Sequence, residues 1–278
     1  MSVAGLFDGG EFFLLAGPCV LEDDALNLRI ADVLAQLQVQ TGVPIIFKAS
    51  FDKANRSRPG AARGPGLERG LRGLERVKSH SGLAVVTDVH EAAQCAEVAK
   101  VADVLQIPAF LSRQTDLIEA AAATGATLNI KKGQWMAPED MAGAVGKARS
   151  AGAAAVAVTE RGTAFGYGDL IVDMRAFARL REAAHAPVIF DGTHSVQRPG
   201  RADGASGGDP QFIQPLVLAA MAAGADALFL EVHPQPERAP SDGSNMLQLE
   251  RLPALLGRVL AVRAAVHEAQ EAASARGG

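Results

Sequence analysis

The sequence predicts an α/β fold, a (β/α)8 TIM barrel in a single domain spanning residues 1–278, and three observations carry that expectation. Eight short apolar runs of β type recur along the chain, each is followed by a segment with helical spacing, and no Pro/Ser-rich linker divides them. A chain of 278 residues that is 48% hydrophobic can bury the core that one barrel needs.

In order, the strand segments are FFLLAGPCV at 12–20, PIIFKAS at 44–50, LAVVTDVH at 83–90, DVLQIPAF at 103–110, TLNIKK at 127–132, AVAVTERG at 155–162, PVIFDGTHSV at 187–196 and ALFLEVH at 227–233. Between them apolar residues fall three or four apart, as in Leu67, Leu71, Leu74 and Val77, or Leu249, Leu252, Leu256 and Val259. That is the period of a helix buried along one face. Gly125, Gly152 and Gly224, in TGA, AGA and AGA, read as glycine stops that end a helix and feed the next strand. A doubly wound open sheet is the weaker alternative for the same alternation.

Composition narrows the partners to small molecules. A net charge of −4 and 5% aromatic residues argue against nucleic acid, which needs a basic footprint or stacking surfaces. No uninterrupted apolar run reaches membrane-spanning length, and no Lys or Arg precedes Arg29 to form the basic leader of a signal peptide. The two cysteines, Cys19 and Cys95, lie too far apart in sequence to suggest a secreted disulfide framework. The expected setting is the cytoplasm.

The strand segments begin apolar and end in Cys19, Lys48, Asp88 with His90, Gln106, Lys131, Arg161, Asp191 with His194, and Glu231 with His233. A barrel gathers these ends on one face, where such enzymes place their chemistry. One group is cationic: Lys48, Lys53, Arg56, Lys131 and Arg161, with Arg63 and Arg113 nearby in sequence. Several such groups together suit a small substrate with both phosphate and carboxylate. The second group is Cys19, His194, Glu231 and Asp242, which barrel closure would gather from strands one, seven and eight. Thiolate, imidazole and carboxylate together suit a divalent Zn, Fe(II), Mn or Co. Lys132 reads as a surface lysine, Cys95 as a small hydrophobe, and His80, His185 and His267 as surface or packing residues.

At AGPC, FKASFDKANRS, TDVHE, IPAFLSRQTDL, TERGTAFGYGDL and THSVQ the sequence resembles the 3-deoxy-D-manno-octulosonate 8-phosphate synthase family, over most of the chain. The resemblance implies a (β/α)8 homotetramer that condenses phosphoenolpyruvate with D-arabinose 5-phosphate and water in lipopolysaccharide (Kdo) synthesis. It implies that Lys48, Lys53, Lys131 and Arg161 hold phosphoenolpyruvate, with Gln106, Ala109 and Phe110 shaping the pocket. Asn55, Arg56 and Ser57 would receive arabinose 5-phosphate, Asp88 would face its hydroxyls, and Arg113 would reach the neighbouring subunit's site. Lys131, Arg161, His194 and Asp88 are the expected catalytic residues. Cys19 in AGPC marks the metal-requiring branch, with His194, Glu231 and Asp242 as its other ligands. Two departures stand out: Arg58, Pro59 and Gly60 follow KANRS where relatives commonly carry Ser-Ile-His, and Gly192 precedes THSVQ where Ala is usual. The rival readings are a 3-deoxy-D-arabino-heptulosonate 7-phosphate synthase using erythrose 4-phosphate, a Schiff-base aldolase built on Lys131, and a non-catalytic phosphosugar-binding barrel.

Overall fold

Eight parallel strands close into a barrel because the last pairs with the first. The computed structural model describes residues 2–55, 60–165, 168–202 and 205–274. Its barrel strands are β1 (Leu14–Gly17), β2 (Ile45–Lys48), β3 (Ala84–Asp88), β4 (Val104–Ile107), β5 (Thr127–Lys131), β6 (Val156–Glu160), β7 (Val188–Asp191) and β8 (Ala227–His233). Each pairs with the next in sequence, and β8 returns to β1 with Leu14 opposite Leu228 and Gly17 opposite Glu231. The helices that follow them are α1 (Asp24–Thr41), α2 (Leu67–Ser81), α3 (Cys95–Val98), α4 (Thr115–Ala122), α5 (Met141–Ser150), α6 (Ala176–Ala184), α7 (Ile213–Ala222) and α8 (Leu252–Ser274). The predicted barrel is therefore the observed fold. Gly125, Gly152 and Gly224 adopt φ of 73°, 96° and 97°, the left-handed backbone expected of helix stops.

All strands but β8, which fills its run, are shorter than the apolar runs, chiefly because the last residues of those runs turn into loops. Asp191 shows how this happens. Its Oδ1 accepts the backbone N–H of Thr193 at 3.1 Å and of His194 at 2.8 Å, so β7 ends in a tight turn instead of continuing to Val196.

Side chains alternate across the barrel wall. Leu14, Ala16, Ile45, Phe47 and Val85 face outward and pack with Ile30, Leu34, Leu74 and Val77 of the helices. Leu15, Ile46, Val86, Val104, Ala157, Ile189 and Phe229 face inward and pack together, with Phe13 and Phe7 beneath them. Phe7 and Phe13 stack with centroids 5.0 Å apart and plug the N-terminal end. At the other end two hairpins project, Thr163–Phe165 with Asp169–Ile171 after β6, and Gln197–Ala202 with Ala205–Gly208 after β7. Among the described residues no helix is long and apolar enough to cross a membrane.

Candidate active site

The period-two alternation of each strand decides which strand-end side chains enter the barrel. Lys48 lies two residues beyond the inward Ile46, Asp88 beyond Val86, Gln106 beyond Val104, Asp191 beyond Ile189 and Glu231 beyond Phe229. All of these polar residues are buried, as are Lys131 and Arg161. Close approach of β1 to β2 requires Gly17, where an added Cβ would stand 2.1 Å from the Lys48 carbonyl oxygen. Cys19 follows in the loop, and its carbonyl accepts from Lys48 Nζ at 3.2 Å.

The cations converge around Phe229. The ammonium groups of Lys48 and Lys131 lie 5.2 and 3.7 Å from its ring centroid. Each is also paired: Lys48 Nζ donates to Glu231 Oε1 at 2.7 Å, and Lys131 Nζ to Asp191 Oδ2 at 2.6 Å. Lys53 Nζ lies 3.8 Å from Glu231 Oε1 and donates to Ser50 Oγ at 3.1 Å. Arg161 Nη2 donates to Gln197 Oε1 at 2.6 Å, while its Nη1 is buried without a hydrogen-bond partner among the described residues. Burial pulls Lys131 and Arg161 below their ordinary pKa values, with Asp191 opposing the shift in both. Burial would lower Lys53 too, but its electrostatic interactions with Cys19, Glu231 and Asp88 outweigh it and raise that lysine. Burial would likewise raise Asp88, yet Lys48 and Lys53 hold its carboxyl well below the usual range.

A second cluster adjoins the first. One donor atom each from Cys19, Glu231 and Asp242 lie within 4.8 Å of one another. The Cys19 thiol donates to Asp242 Oδ2 at 3.1 Å. The four-residue ligand set expected from sequence is only partly gathered: His194 stands beside the trio, its Nε2 3.6 Å from Glu231 Oε2 and its Nδ1 2.7 Å from Asp191 Oδ2. Asp191 thus occupies one ring nitrogen and leaves the other facing the cluster, the usual arrangement of a ligating imidazole and its outer partner. Burial, followed by the charge of Glu231, pushes the Cys19 thiol well above its ordinary pKa. Burial would raise Glu231 and Asp242 as well, but Lys48 with His194, and His194 with Lys53, respectively hold them low. Glu231 Oε2 is buried and accepts no hydrogen bond among the described residues. A divalent cation fits this donor set, because it would satisfy that orphaned oxygen and displace the thiol proton.

Along the barrel wall from β6 to β3 runs a chain of hydrogen bonds. Thr159 Oγ1 donates to Asn129 Oδ1 at 2.6 Å, Asn129 Nδ2 to Gln106 Oε1 at 2.9 Å, and Gln106 Nε2 to Asp88 Oδ1 at 2.7 Å, while Ser50 Oγ donates to Asp88 Oδ2. Gln106 therefore orients Asp88 from the neighbouring strand, where the two are register partners. Asn129, Thr159 and Gln197 were not expected at the site, although Thr127, Asn129 and Lys131 form a polar alternation that marks an inward face. Among the remaining expected residues, Ala109 is half-buried, Phe110 is exposed and stacks on Trp135 at 5.8 Å, and Asn55 and Arg113 are exposed on the rim. Arg56 and Ser57 lie outside the described residues.

Lys132 is not the surface lysine that sequence suggested. It is fully buried on the outer side of the wall, where Nζ meets Glu160 Oε2 at 3.5 Å, Thr163 Oγ1 at 3.1 Å and two backbone carbonyls. At Gly192 an added Cβ would stand 2.6 Å from Val217 Cγ2, so a larger residue would require that side chain to shift. Cys95 is buried, with its thiol pushed up to about 11 by burial, while His80 is half-exposed and pairs with Asp32 at 2.7 Å.

The model of the DAHP synthetase I family matches residues 5–267. A Synechococcus protein named 2-dehydro-3-deoxyphosphooctonate aldolase is 52% identical over 261 residues, covering 94% of this chain and 92% of its own. Proteins of the same name from Syntrophotalea carbinolica and Alkalilimnicola ehrlichii are 51% identical over 268 residues and 54% identical over 244. The first covers 96% of both chains and the second 88% of both.

Proposed function

This chain belongs to the DAHP synthetase I family, and we infer that within it the chain is a 2-dehydro-3-deoxyphosphooctonate aldolase. It condenses phosphoenolpyruvate with D-arabinose 5-phosphate and water, giving the eight-carbon 3-deoxy sugar acid phosphate and inorganic phosphate for Kdo synthesis. The observation that carries the site assignment is the set of buried cations around Phe229, together with Arg161 Nη1, which is buried without a hydrogen-bond partner among the described residues. A dianionic substrate would supply the missing acceptor.

The reaction forms a bond between C3 of phosphoenolpyruvate and the sugar aldehyde carbon. Water adds to C2, and the C2–O bond to phosphate breaks. Lys131 and Arg161 would neutralise carboxylate and phosphate and fix the approach of the enol carbon. Lys48 and Lys53 extend that positive wall toward the sugar. Asp88, held ionised by Lys48 and Lys53 and oriented by Gln106 and Ser50, would accept from the sugar hydroxyls. Gln106, Ala109 and Phe110 would shape the phosphoenolpyruvate pocket, and Asn55, Arg56 and Ser57 would take the pentose phosphate. Cys19, His194, Glu231 and Asp242 would hold a divalent Zn, Fe(II), Mn or Co. Such an ion supplies Lewis-acid polarisation of the aldehyde or acidification of water. A cytoplasmic homotetramer in which the exposed Arg113 serves the neighbouring site completes the proposal.

The heptulosonate rival shares the family, so the acceptor sugar must decide. The test is phosphate release from phosphoenolpyruvate with arabinose 5-phosphate or erythrose 4-phosphate, after chelation and after metal is restored. Release with the pentose phosphate only when metal returns is the expected result. Release only with erythrose 4-phosphate overturns the substrate, and full activity in protein shown to be metal-free overturns the metal.

A further inference from the structure

The THSVQ motif ends in a residue that neither the cation wall nor the donor set uses. Gln197 opens the hairpin after β7, and its side-chain amide lies between the two clusters. Its Oε1 accepts from Arg161 Nη2 at 2.6 Å, and its Nε2 donates to Asp242 Oδ1 at 2.8 Å. The orientation of the amide is forced, since a guanidinium only donates and a carboxylate only accepts. Arg161 is thereby held with Nη1 buried and, among the described residues, without a hydrogen-bond partner, as an anion site would leave it. Asp242 Oδ2 meanwhile takes the Cys19 thiol at 3.1 Å and the Ser241 hydroxyl at 2.7 Å. One amide joins a group suited to an anion to a group suited to a cation.

We propose that Gln197 is a positioning residue that couples metal occupancy to affinity for phosphoenolpyruvate, an inference that rests on the ligand assignments above. Without a cation, Asp242 shares its carboxylate with a thiol proton. When a cation engages that carboxylate, the amide bonded to it is fixed as well, and the Arg161 fork is ordered before the anion arrives. The anion then meets a preorganised guanidinium and loses less entropy on binding. By reciprocity, the anion strengthens cation binding by the same factor.

The test is calorimetric titration of phosphoenolpyruvate into chelator-stripped and Mn-loaded protein, for the wild type, Gln197→Ala and Gln197→Glu, with folding verified by circular dichroism. In the wild type, Mn should strengthen phosphoenolpyruvate binding at least about fivefold. That ratio should fall to near one in Gln197→Ala. Gln197→Glu keeps an acceptor for Arg161 but sets a like charge against Asp242, so it should bind phosphoenolpyruvate when stripped yet lose most of the ratio. This variant also carries the test if the alanine variant does not fold. A purely structural role would weaken both titrations equally and leave the ratio intact, overturning the inference. A wild-type ratio of one, with both ligands bound, would overturn it too. Failure of the wild type to bind Mn or phosphoenolpyruvate at all would instead remove the ligand assignments on which it rests.

Discussion

Ile46 and Lys48 lie two residues apart on the inner face of β2, each only 1% exposed, yet they belong to opposite halves of the barrel. Ile46 sits in an apolar floor with Leu15, Val86, Val104, Ile189 and Phe229. Lys48 sits above it, against Glu231 at 2.7 Å and Asp88 at 4.0 Å. Burial is the same in the two halves, but its energetic meaning is opposite. Full burial of a side chain such as Ile46 contributes about 1.5–3 kcal/mol. Burial of an ion pair costs desolvation that its mutual attraction only roughly offsets. The floor holds the barrel together, whereas the polar end is tolerated only while its charges remain matched.

The largest effect should come from breaking that match. Lys48→Met should destabilise the fold by about 3–5 kcal/mol, because it strands a buried carboxylate, and should also lower turnover. The double variant Lys48→Met with Glu231→Leu should recover most of the stability in denaturant unfolding while remaining inactive. Recovery of neither would mean that the pair is a structural element like the floor, and the contrast would fail.

Acid should act on the polar end and leave the floor unaffected. Asp88 has a folded-state pKa held below its unfolded value by Lys48 and Lys53 against burial. Its contribution to stability is therefore complete above the ordinary carboxylate pKa and is lost as pH falls through the depressed value. Across that window Asp88→Asn should flatten the decline of unfolding free energy by up to about 1.4 kcal/mol per pH unit. Parallel slopes for variant and wild type between about pH 2 and 4 would show that Asp88 is not the linked group.

The smallest effect belongs to the floor. Ile46→Val should cost about 0.5–1.5 kcal/mol through a small cavity and leave turnover unchanged. A change in turnover larger than the change in stability would show that floor packing reaches the chemistry directly.

Much of this division could be read along the chain. Apolar runs ending in Lys48, Asp88, Gln106, Lys131, Asp191 and Glu231 mark both the strands and the face where they end. Alternation in Thr127, Asn129 and Lys131 marks which residues point inward. Consecutive lysines defeated the reading, because Lys131 and Lys132 point to opposite sides of the wall and both find buried carboxylates, Asp191 at 2.6 Å and Glu160 at 3.5 Å. Of the four expected ligands the structure gathers Cys19, Glu231 and Asp242, while the turn imposed by Asp191 leaves His194 beside the trio.

Periodicity, glycine stops and the polar ends of apolar runs are local properties, and they determined the barrel and the end of it that carries the buried polar residues from sequence alone. The matching of charges was decided by tertiary structure. Lys48 and Glu231 are 183 positions apart in the chain, and only closure of β8 onto β1 brings them into contact. The side-by-side pairing of β6, β7 and β8 sets Gln197 between Arg161 and Asp242, because hydrogen-bond partners in a barrel are chosen by strand order and register, which no local pattern encodes.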